Sequence, residues 1–194
     1  NRNRLKIKYI KNNLNIYHYN STSNEDNTFK SLKNAYDLCK YNICIGIITL
    51  PLRKDLIKEK INSKFIGHTE YFQYLDNKKY SNMILYHKKI IISPLTTHIQ
   101  INKISKLLTD NNFVLNQLIN INKSLKNDFN IKKPKLIISG FNPHSGENGK
   151  IGNEEIKFII PILKQLRKKG VLIDGPYSGD SLLIKKNLKI YNCF

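Results

Sequence analysis

Short apolar runs alternate with longer amphipathic stretches along most of the chain. The continuous apolar runs Ile43–Ile48, Leu136–Ile138 and Val171–Ile173 predict strands that are buried on both faces. Two further strands are predicted at Met83–Leu85 and at Ile90–Ile92, the second of which is ended by Pro94. The hydrophobic pattern therefore predicts at least five short strands.

Helices are predicted between these strands. The segments with helical spacing or helix-start signals are Thr28–Tyr41, Pro51–Ile61, a stretch from Thr69, Ile101–Phe129 with a break near Asp110, and Glu154–Lys169. Alternating strands and helices predict an α/β fold with a largely parallel sheet. The polar stretch Asn20–Asn27 indicates a loop. We therefore expect residues 1–27 to form a linker or a partial N-terminal element, and residues 28–194 to form the central α/β region.

The segments that follow the strands contain most of the residues suited to chemistry. Ligands of open parallel sheets bind beyond the carboxyl ends of the strands. Three of the five histidines, His68, His98 and His144, lie in such segments. Two of them in adjacent crevices can bind one divalent metal ion, although a single post-strand histidine more often bonds a backbone carbonyl. Similarly, Gly67–Glu70 can bind an anion at a helix start, or Thr69 can simply cap that helix.

The charge and the cysteines narrow the classes of protein. A net charge of +19 is compatible with nucleic-acid binding, but only four of the 33 basic residues are Arg and the lysines are scattered along the chain. We expect instead that the high lysine content reflects an AT-rich genome, which favours the codons of Asn, Lys and Ile. Cys39, Cys44 and Cys193 lie outside any CxxC spacing, and the predicted helix and strand make Cys39 and Cys44 buried free thiols in a reducing cytoplasm. No apolar run is long enough to predict a membrane span.

Four of the post-strand segments resemble the signatures of a known family. Ile137–Glu147, with Gly152 and Glu154 behind it, is similar to the Gly-Leu-Asn-Pro-His-Ala-Gly-Glu signature of the 4-hydroxythreonine-4-phosphate dehydrogenases. The other three matching segments, in the family's order, are Gly67–Glu70, Thr96–His98 and Gly175–Asp180. The resemblance extends over nearly the whole chain beyond about Thr28.

The resemblance implies a fold and an activity. The fold would be a three-layer α/β/α architecture of the isocitrate/isopropylmalate dehydrogenase type, with two domains and the site in their cleft. The activity would be the NAD- or NADP-dependent oxidation and decarboxylation of 4-phosphooxy-L-threonine to 3-amino-2-oxopropyl phosphate, a step toward pyridoxine 5'-phosphate. A cytoplasmic homodimer with a shared active site is implied, with neither nucleic acid nor membrane as a partner.

The resemblance also implies roles for individual residues. His98 and His144 would bind one divalent cation (zinc, magnesium, manganese or cobalt), and His68 and Thr69 would bind the phosphorylated hydroxy-amino-acid substrate. The candidates for a further catalytic role are Lys54 and Asp180. No residue is assigned to the nicotinamide cofactor. The family's third metal histidine is expected beyond Phe194, so we expect this chain to be an internal part of such an enzyme and to be inactive alone.

Other functions remain open. A paralogous dehydrogenase of a 4-phosphorylated threonate or erythronate would share the same metal ligands. A catalytically inactive remnant would keep the fold and lose the chemistry, and a nucleic-acid-binding protein is a distant third hypothesis.

Overall fold

The computed structural model describes residues 10–16, 24–52 and 67–194. The chain divides into two compact units, Asn1–Lys78 and Lys79–Phe194. Among the described residues, none of the helices is both long and apolar enough to cross a bilayer.

Two helices pack together in the first unit. They are α1 (Asn24–Lys40) and α2 (His68–Leu75). Their contact includes an edge-to-face pair of the Phe29 and Tyr71 rings, with centroids 5.1 Å apart. Helix α1 begins at Asn24, within the stretch Asn20–Asn27 that was predicted to be a loop.

The predicted buried strand Ile43–Ile48 is wrong. After α1, the backbone turns at Asn42 (φ 56°), and the N–H groups of Ile43 and Cys44 both bond to the Leu38 carbonyl. The run then continues without strand pairing in the described residues, and most of its side chains are exposed. The prediction of buried thiols fails accordingly, because Cys44 is exposed and Cys39 is only half-buried. The helix predicted from Pro51 to Ile61 lies almost entirely outside the described residues.

The second unit contains four strands and four α-helices in its described residues. In chain order they are β1 (Leu85–His87), β2 (Ile90–Ile92), α3 (Ile101–Leu108), α4 (Asn111–Asn127), β3 (Lys135–Ser139), α5 (Ile160–Lys168), β4 (Leu172–Tyr177) and α6 (Lys185–Ile190). This order confirms the α/β class. The three-layer, two-domain architecture stays a prediction.

Two kinds of strand pairing occur in this unit. Strands β3 and β4 are parallel, with Leu136 opposite Ile173. Strands β1 and β2 are antiparallel, contrary to a uniformly parallel sheet, because only Lys88 and Lys89 separate them and a parallel crossover needs about a dozen residues. Lys88 has a φ of 55°, as the tight turn requires.

The last residues of the chain connect the two strand pairs. Phe194 donates its N–H to the Ile91 carbonyl at 2.9 Å, and Ile137 donates its N–H to the Cys193 carbonyl at 3.0 Å. A parallel bridge also joins Leu136 to Cys193. The terminal segment Tyr191–Phe194 therefore lies between β2 and β3.

Helices α4 and α5 supply most of the core. They contact each other, and α5 also packs against β4. Their fully buried side chains include Val114, Leu125, Leu163 and Leu166. Burying an aliphatic side chain of this size stabilises a fold by about 1.5–3 kcal/mol. This core holds β3 and β4 in place, and therefore also the loops that follow them.

The helix predictions that fall on described residues held, with one local exception. The break near Asp110 is confirmed, because the Asp110 carboxylate caps α4 by accepting the N–H groups of Asn112 and Phe113. The predicted helix Glu154–Lys169 begins instead with a π-helical turn, Glu155–Ile159. Pro161 explains this turn, since it has no N–H to donate to Lys157, and Ile160 bonds back to the Glu155 carbonyl.

Candidate functional site

A cleft opens at the carboxyl ends of the strands in the second unit. Its volume is about 370 Å³, and its polar or backbone-lined wall includes Ser93, Thr96, Ser139, Gly140 and Gly179. Thr96 and Gly140 belong to segments that the sequence singled out. The cleft lies at the strand ends where open parallel sheets bind their ligands. Its lining does not include the described site candidates, which are His68, Thr69, His98, His144 and Asp180.

His144 lies on a left-handed turn that follows β3. The Pro143–Gly149 turn has positive φ at every residue from His144 (49°) to Asn148 (56°), including Gly146 at 77°. For a residue other than glycine this conformation costs about 1–2 kcal/mol. Backbone strain of this kind concentrates at functional sites, where the surrounding structure must hold it in place.

The buried carboxylate of Glu155 holds the start of this turn. Its Oε1 accepts the N–H of Phe141 at 2.7 Å and that of Asn142 at 2.6 Å. The Asn142 side-chain amide donates to Glu155 Oε2 at 2.9 Å and to Glu154 Oε2 at 2.7 Å. Glu155 is only 2% exposed. Three hydrogen bonds to Glu155 and one to Glu154 thus join the chain before His144 to the start of the π-helical turn.

The two glutamates remain ionised because of these bonds. Burial alone raises the pKa of Glu155, but the hydrogen bonds from the Asn142 side chain and from the Asn142 and Phe141 amides outweigh it and hold the pKa below its usual range. For Glu154, the hydrogen bond from Asn142 is the largest effect and also lowers the pKa. The loop is therefore anchored on charged acceptors, which make stronger hydrogen bonds than neutral ones.

Gly146 allows the turn to pack onto the Glu155 carboxylate. A Cβ atom at this position would lie 2.8 Å from Glu155 Oε2 and 2.6 Å from the Gly152 carbonyl oxygen. Its φ of 77° is also in the left-handed region. A side chain here would displace either the turn or the carboxylate.

The structure brings the turns that carry His144 and Asp180 into contact. The short 3₁₀ turn Gly179–Ser181 after β4 contacts the Pro143–Gly149 turn. A hydrogen bond from Ser178 is the main reason that the pKa of Asp180 lies below its usual range, and the charge of His144 contributes to the same direction. Asp180 is exposed, and its lowered pKa keeps it ionised at neutral pH.

His98 lies on the loop after β2, in the same unit. It is exposed and, like His144, it has a positive φ, 54°. Imidazole and carboxylate donors suit zinc and related divalent cations, so His98, His144 and Asp180 fit such an ion by their chemistry. Within residues 10–16, 24–52 and 67–194, however, no group of three or more His, Cys, Asp or Glu side chains is arranged to hold a metal ion.

The predicted substrate residues begin α2 in the first unit. His68 is half-buried and Thr69 is exposed. Thr69 does not cap the helix, since Gly67 occupies the N-cap position. Lys54, the remaining candidate, lies outside the described residues.

Sequence reasoning missed Glu155 and Asn142 as parts of the site. The available signal was the pair Glu154–Glu155, placed directly after a glycine-rich loop in a strongly basic chain. Two of the four hydrogen bonds are donated by backbone N–H groups, which a side-chain pattern does not show.

Polar loops at the carboxyl ends of parallel strands define the class as an α/β protein with an enzyme-like ligand cleft. Residues 2–194 match the family model described as pyridoxal phosphate biosynthetic protein PdxA. The chain therefore belongs to the PdxA family. The resemblance inferred from the motifs is confirmed.

Curated relatives and solved structures agree with this assignment. The chain is 37% identical over 147 residues to a 4-hydroxythreonine-4-phosphate dehydrogenase of a Sulfurihydrogenibium strain, covering 75% of this chain and 45% of that protein. It is 40% identical over 144 residues to the enzyme of the same name from Wigglesworthia glossinidia brevipalpis, covering 74% and 43%. The crystal structure of the Klebsiella pneumoniae enzyme matches with a TM-score of 0.79 at 27% identity, covering 87% of this chain and 51% of that one. The chain spans about half the length of these relatives.

Proposed function

We propose that this chain is the metal- and substrate-binding part of a 4-hydroxythreonine-4-phosphate dehydrogenase. The whole enzyme would oxidise and decarboxylate 4-phosphooxy-L-threonine with NAD or NADP, in the cytoplasm and as a homodimer with a shared site. The observation that carries this proposal is the contact between the turns that bear His144 and Asp180, after β3 and β4, in a chain of the PdxA family.

His98 and His144 would hold the divalent cation through neutral imidazole nitrogens. A bound cation would supply Lewis acidity, which polarises the substrate oxygen and offers the electron sink that decarboxylation needs. Asp180, ionised on the neighbouring turn, adds negative charge that favours a cation near His144.

His68 and Thr69 would bind the substrate, and Lys54 would add a positive charge for its anionic groups. The first turn of α2 supports this role, because the N–H groups at a helix start attract anions. The exposed Thr69 hydroxyl is free to reach a ligand without first leaving a cap.

The metal assignment is tested in the full-length enzyme by elemental analysis. His98→Ala and His144→Ala should each lose most of the bound metal, whereas Thr69→Ala should keep it and lower kcat/KM. His87→Ala is the matched control, since His87 lies in the β1–β2 hairpin away from the post-strand loops. Unchanged metal content in both metal-ligand variants would show that the assignment is wrong.

The substrate is tested by comparing turnover of 4-phosphooxy-L-threonine with that of 4-phosphorylated threonate and erythronate, following NADH absorbance. A higher kcat/KM for either sugar acid would identify a paralogous enzyme. Absence of turnover with all three, in a full-length protein that retains its metal, would identify an inactive remnant.

A further inference from the structure

The 140–153 loop has an internal support that the proposed chemistry does not use. Glu155 is fully buried, yet its carboxylate is ionised. Its hydrogen-bond donors among the described residues are the amide groups of Phe141 and Asn142. Burying a charge is costly, so a fold retains one where it organises its surroundings.

The bonds of Glu155 are directed at the backbone immediately before His144. Between the bonded Asn142 and His144 stands only Pro143, whose ring fixes φ. Little rotational freedom therefore remains between the anchored amide and the imidazole-bearing residue. Beyond His144, Gly146 packs against the same carboxylate. Both sides of His144 are held by one side chain.

The π-helical turn places this carboxylate. Glu155 is the first residue of that turn, and its own carbonyl accepts the N–H of Ile160. Such turns are uncommon and are frequent at functional sites. Here the turn joins the loop to α5, whose side chains Leu163 and Leu166 are fully buried. The carboxylate that supports His144 is therefore fixed to a helix that is packed in the hydrophobic core.

We propose that Glu155 is the positioning residue of His144: its buried carboxylate bonds the Phe141 and Asn142 amides and so holds the left-handed turn in its metal-binding conformation. This proposal rests on the metal-binding role proposed for His144. Asn142 contributes to the same arrangement, since its side-chain amide donates a hydrogen bond to Oε2 of Glu155. Glu155 itself need not touch metal or substrate.

The first experiment uses the metal-free 194-residue chain and Glu155→Gln. Glutamine keeps one acceptor oxygen and replaces the other by an NH₂ group, which opposes the Asn142 amide. Amide exchange measured by NMR should accelerate about tenfold or more at Phe141 and Asn142, and the imidazole signals of His144 should shift or broaden. Unchanged exchange and unchanged His144 signals would overturn the proposal whatever the metal does.

The second experiment titrates the same chains with Co²⁺ and records affinity and the visible absorption spectrum. Loss of a residue that orients a metal ligand lowers affinity by about 10–100-fold, and Glu155→Gln should lie in that range with an altered spectrum. Glu147→Gln is the charge-matched control: Glu147 is an exposed carboxylate of the same turn, and its removal should change the affinity less than about threefold.

A third variant separates positioning from stability. Arg167→Ala removes the hydrogen bond from Arg167 Nε to the Ile173 carbonyl, at 2.8 Å, within the same unit. It should lower thermal stability and leave the cobalt affinity and spectrum unchanged. If Arg167→Ala weakens cobalt binding as much as Glu155→Gln does, Glu155 acts only through stability and the proposal is wrong.

His144→Ala distinguishes the two levels of the argument. If it leaves the cobalt affinity unchanged, or if the unmodified chain binds no cobalt, the metal assignment fails in this chain, and the exchange measurement alone decides on Glu155. If His144→Ala weakens binding and Glu155→Gln does not, the metal role stands and the positioning role is wrong.

Discussion

Two apolar runs are similar in sequence but lie in opposite environments. Leu136–Ile138 forms the centre of β3, with exposures of 3%, 2% and 9%. In Ile43–Ile48, Ile45 and Ile48 are 111% and 97% exposed. Both runs were predicted to be strands buried on both faces.

The difference lies in the neighbours of each run. Strand β3 has β4 on one edge and Cys193 on the other, so its N–H and C=O groups are paired on both sides. The N–H groups at the start of Ile43–Ile48 turn back to Leu38 instead, and no strand pairs with the run in the described residues. An apolar run indicates that its side chains would gain stability from burial. They are buried only where a partner strand or helix packs against them.

The two regions can be compared directly by thiol labelling, for which we expect the largest effect. Cys44 lies in the exposed run, whereas Cys193 is buried beside β3 and burial raises its pKa to about 11. At pH 8 Cys44 should react with iodoacetamide at least about 100-fold faster, because the thiolate is the nucleophile and must be accessible. Mass spectrometry of the native protein measures both rates. Similar rates would mean that Cys44 is buried in solution or that the terminal segment leaves its place.

Alanine substitutions compare the same runs by stability. Ile137→Ala should lower the free energy of unfolding by about 2–5 kcal/mol, because it leaves a cavity beside β4. The control, Ile45→Ala, should change it by less than about 0.5 kcal/mol, since its side chain contacts mainly water. Urea unfolding followed by circular dichroism gives both values. A loss above 2 kcal/mol for Ile45→Ala would contradict the exposed conformation of that run.

The sequence predicted the fold wherever local and tertiary preferences agreed. The break at Asp110 followed from a local capping signal, and β3 followed from an apolar run bounded by Pro134 and Gly140. The failed strand Ile43–Ile48 needed non-local information, because nothing within the run shows whether a partner strand covers it. Two other departures came from local features that hydrophobic periodicity does not show. The antiparallel hairpin depends on a tight turn at Lys88, and the π-helical turn depends on a proline inside an otherwise regular pattern.

For the candidate site, the sequence named candidate residues but not their geometry. His98 and His144 follow strands and His68 begins a helix, as predicted, and the turns that carry His144 and Asp180 contact each other. No pattern could show the left-handed turn or the role of Glu155, because these depend on backbone N–H groups that every residue carries. The roles of His68, Thr69, His98 and His144 stay predictions.

The same comparison of a buried with an exposed position can be made for two carboxylates at the 140–153 loop, the buried Glu155 and the exposed Glu147. Glu155→Gln should lower the free energy of unfolding at pH 7 by about 1–3 kcal/mol, since a buried group loses its bonds. Because the pKa of Glu155 is lowered in the folded state, its contribution is present above the unfolded pKa and is lost as pH falls through the folded value.

The measurement is urea unfolding between pH 7 and pH 3. The original chain should lose stability with acid more steeply than Glu155→Gln, whereas Glu147→Gln, at an exposed position, should follow the original chain. Equal acid dependence in the original chain and in Glu155→Gln would contradict the ionised state of the buried carboxylate.

The smallest expected effect tests the partner on the edge of β3. Tyr191 begins the terminal segment, and its hydroxyl donates to Asp174 Oδ2 of β4 at 2.8 Å, so this bond connects the two neighbours of β3. Tyr191→Phe should lower the free energy of unfolding by about 0.5–1.5 kcal/mol at pH 7, the typical value of one hydrogen bond.

Burial and the bond to Asp174 raise the pKa of Tyr191 to about 12. A raised pKa means that this stabilisation is fully present below the unfolded value of about 10 and disappears as pH rises toward 12. The difference in unfolding free energy between the original chain and Tyr191→Phe should therefore be constant from pH 7 to pH 9 and shrink above pH 10. Tyr86→Phe, at an exposed position in the hairpin, is the control and should show no such trend. A difference near zero at pH 7 would mean that Tyr191 does not bond Asp174 in solution, and that the bonds of Asn192 and Cys193 hold the terminal segment on β3.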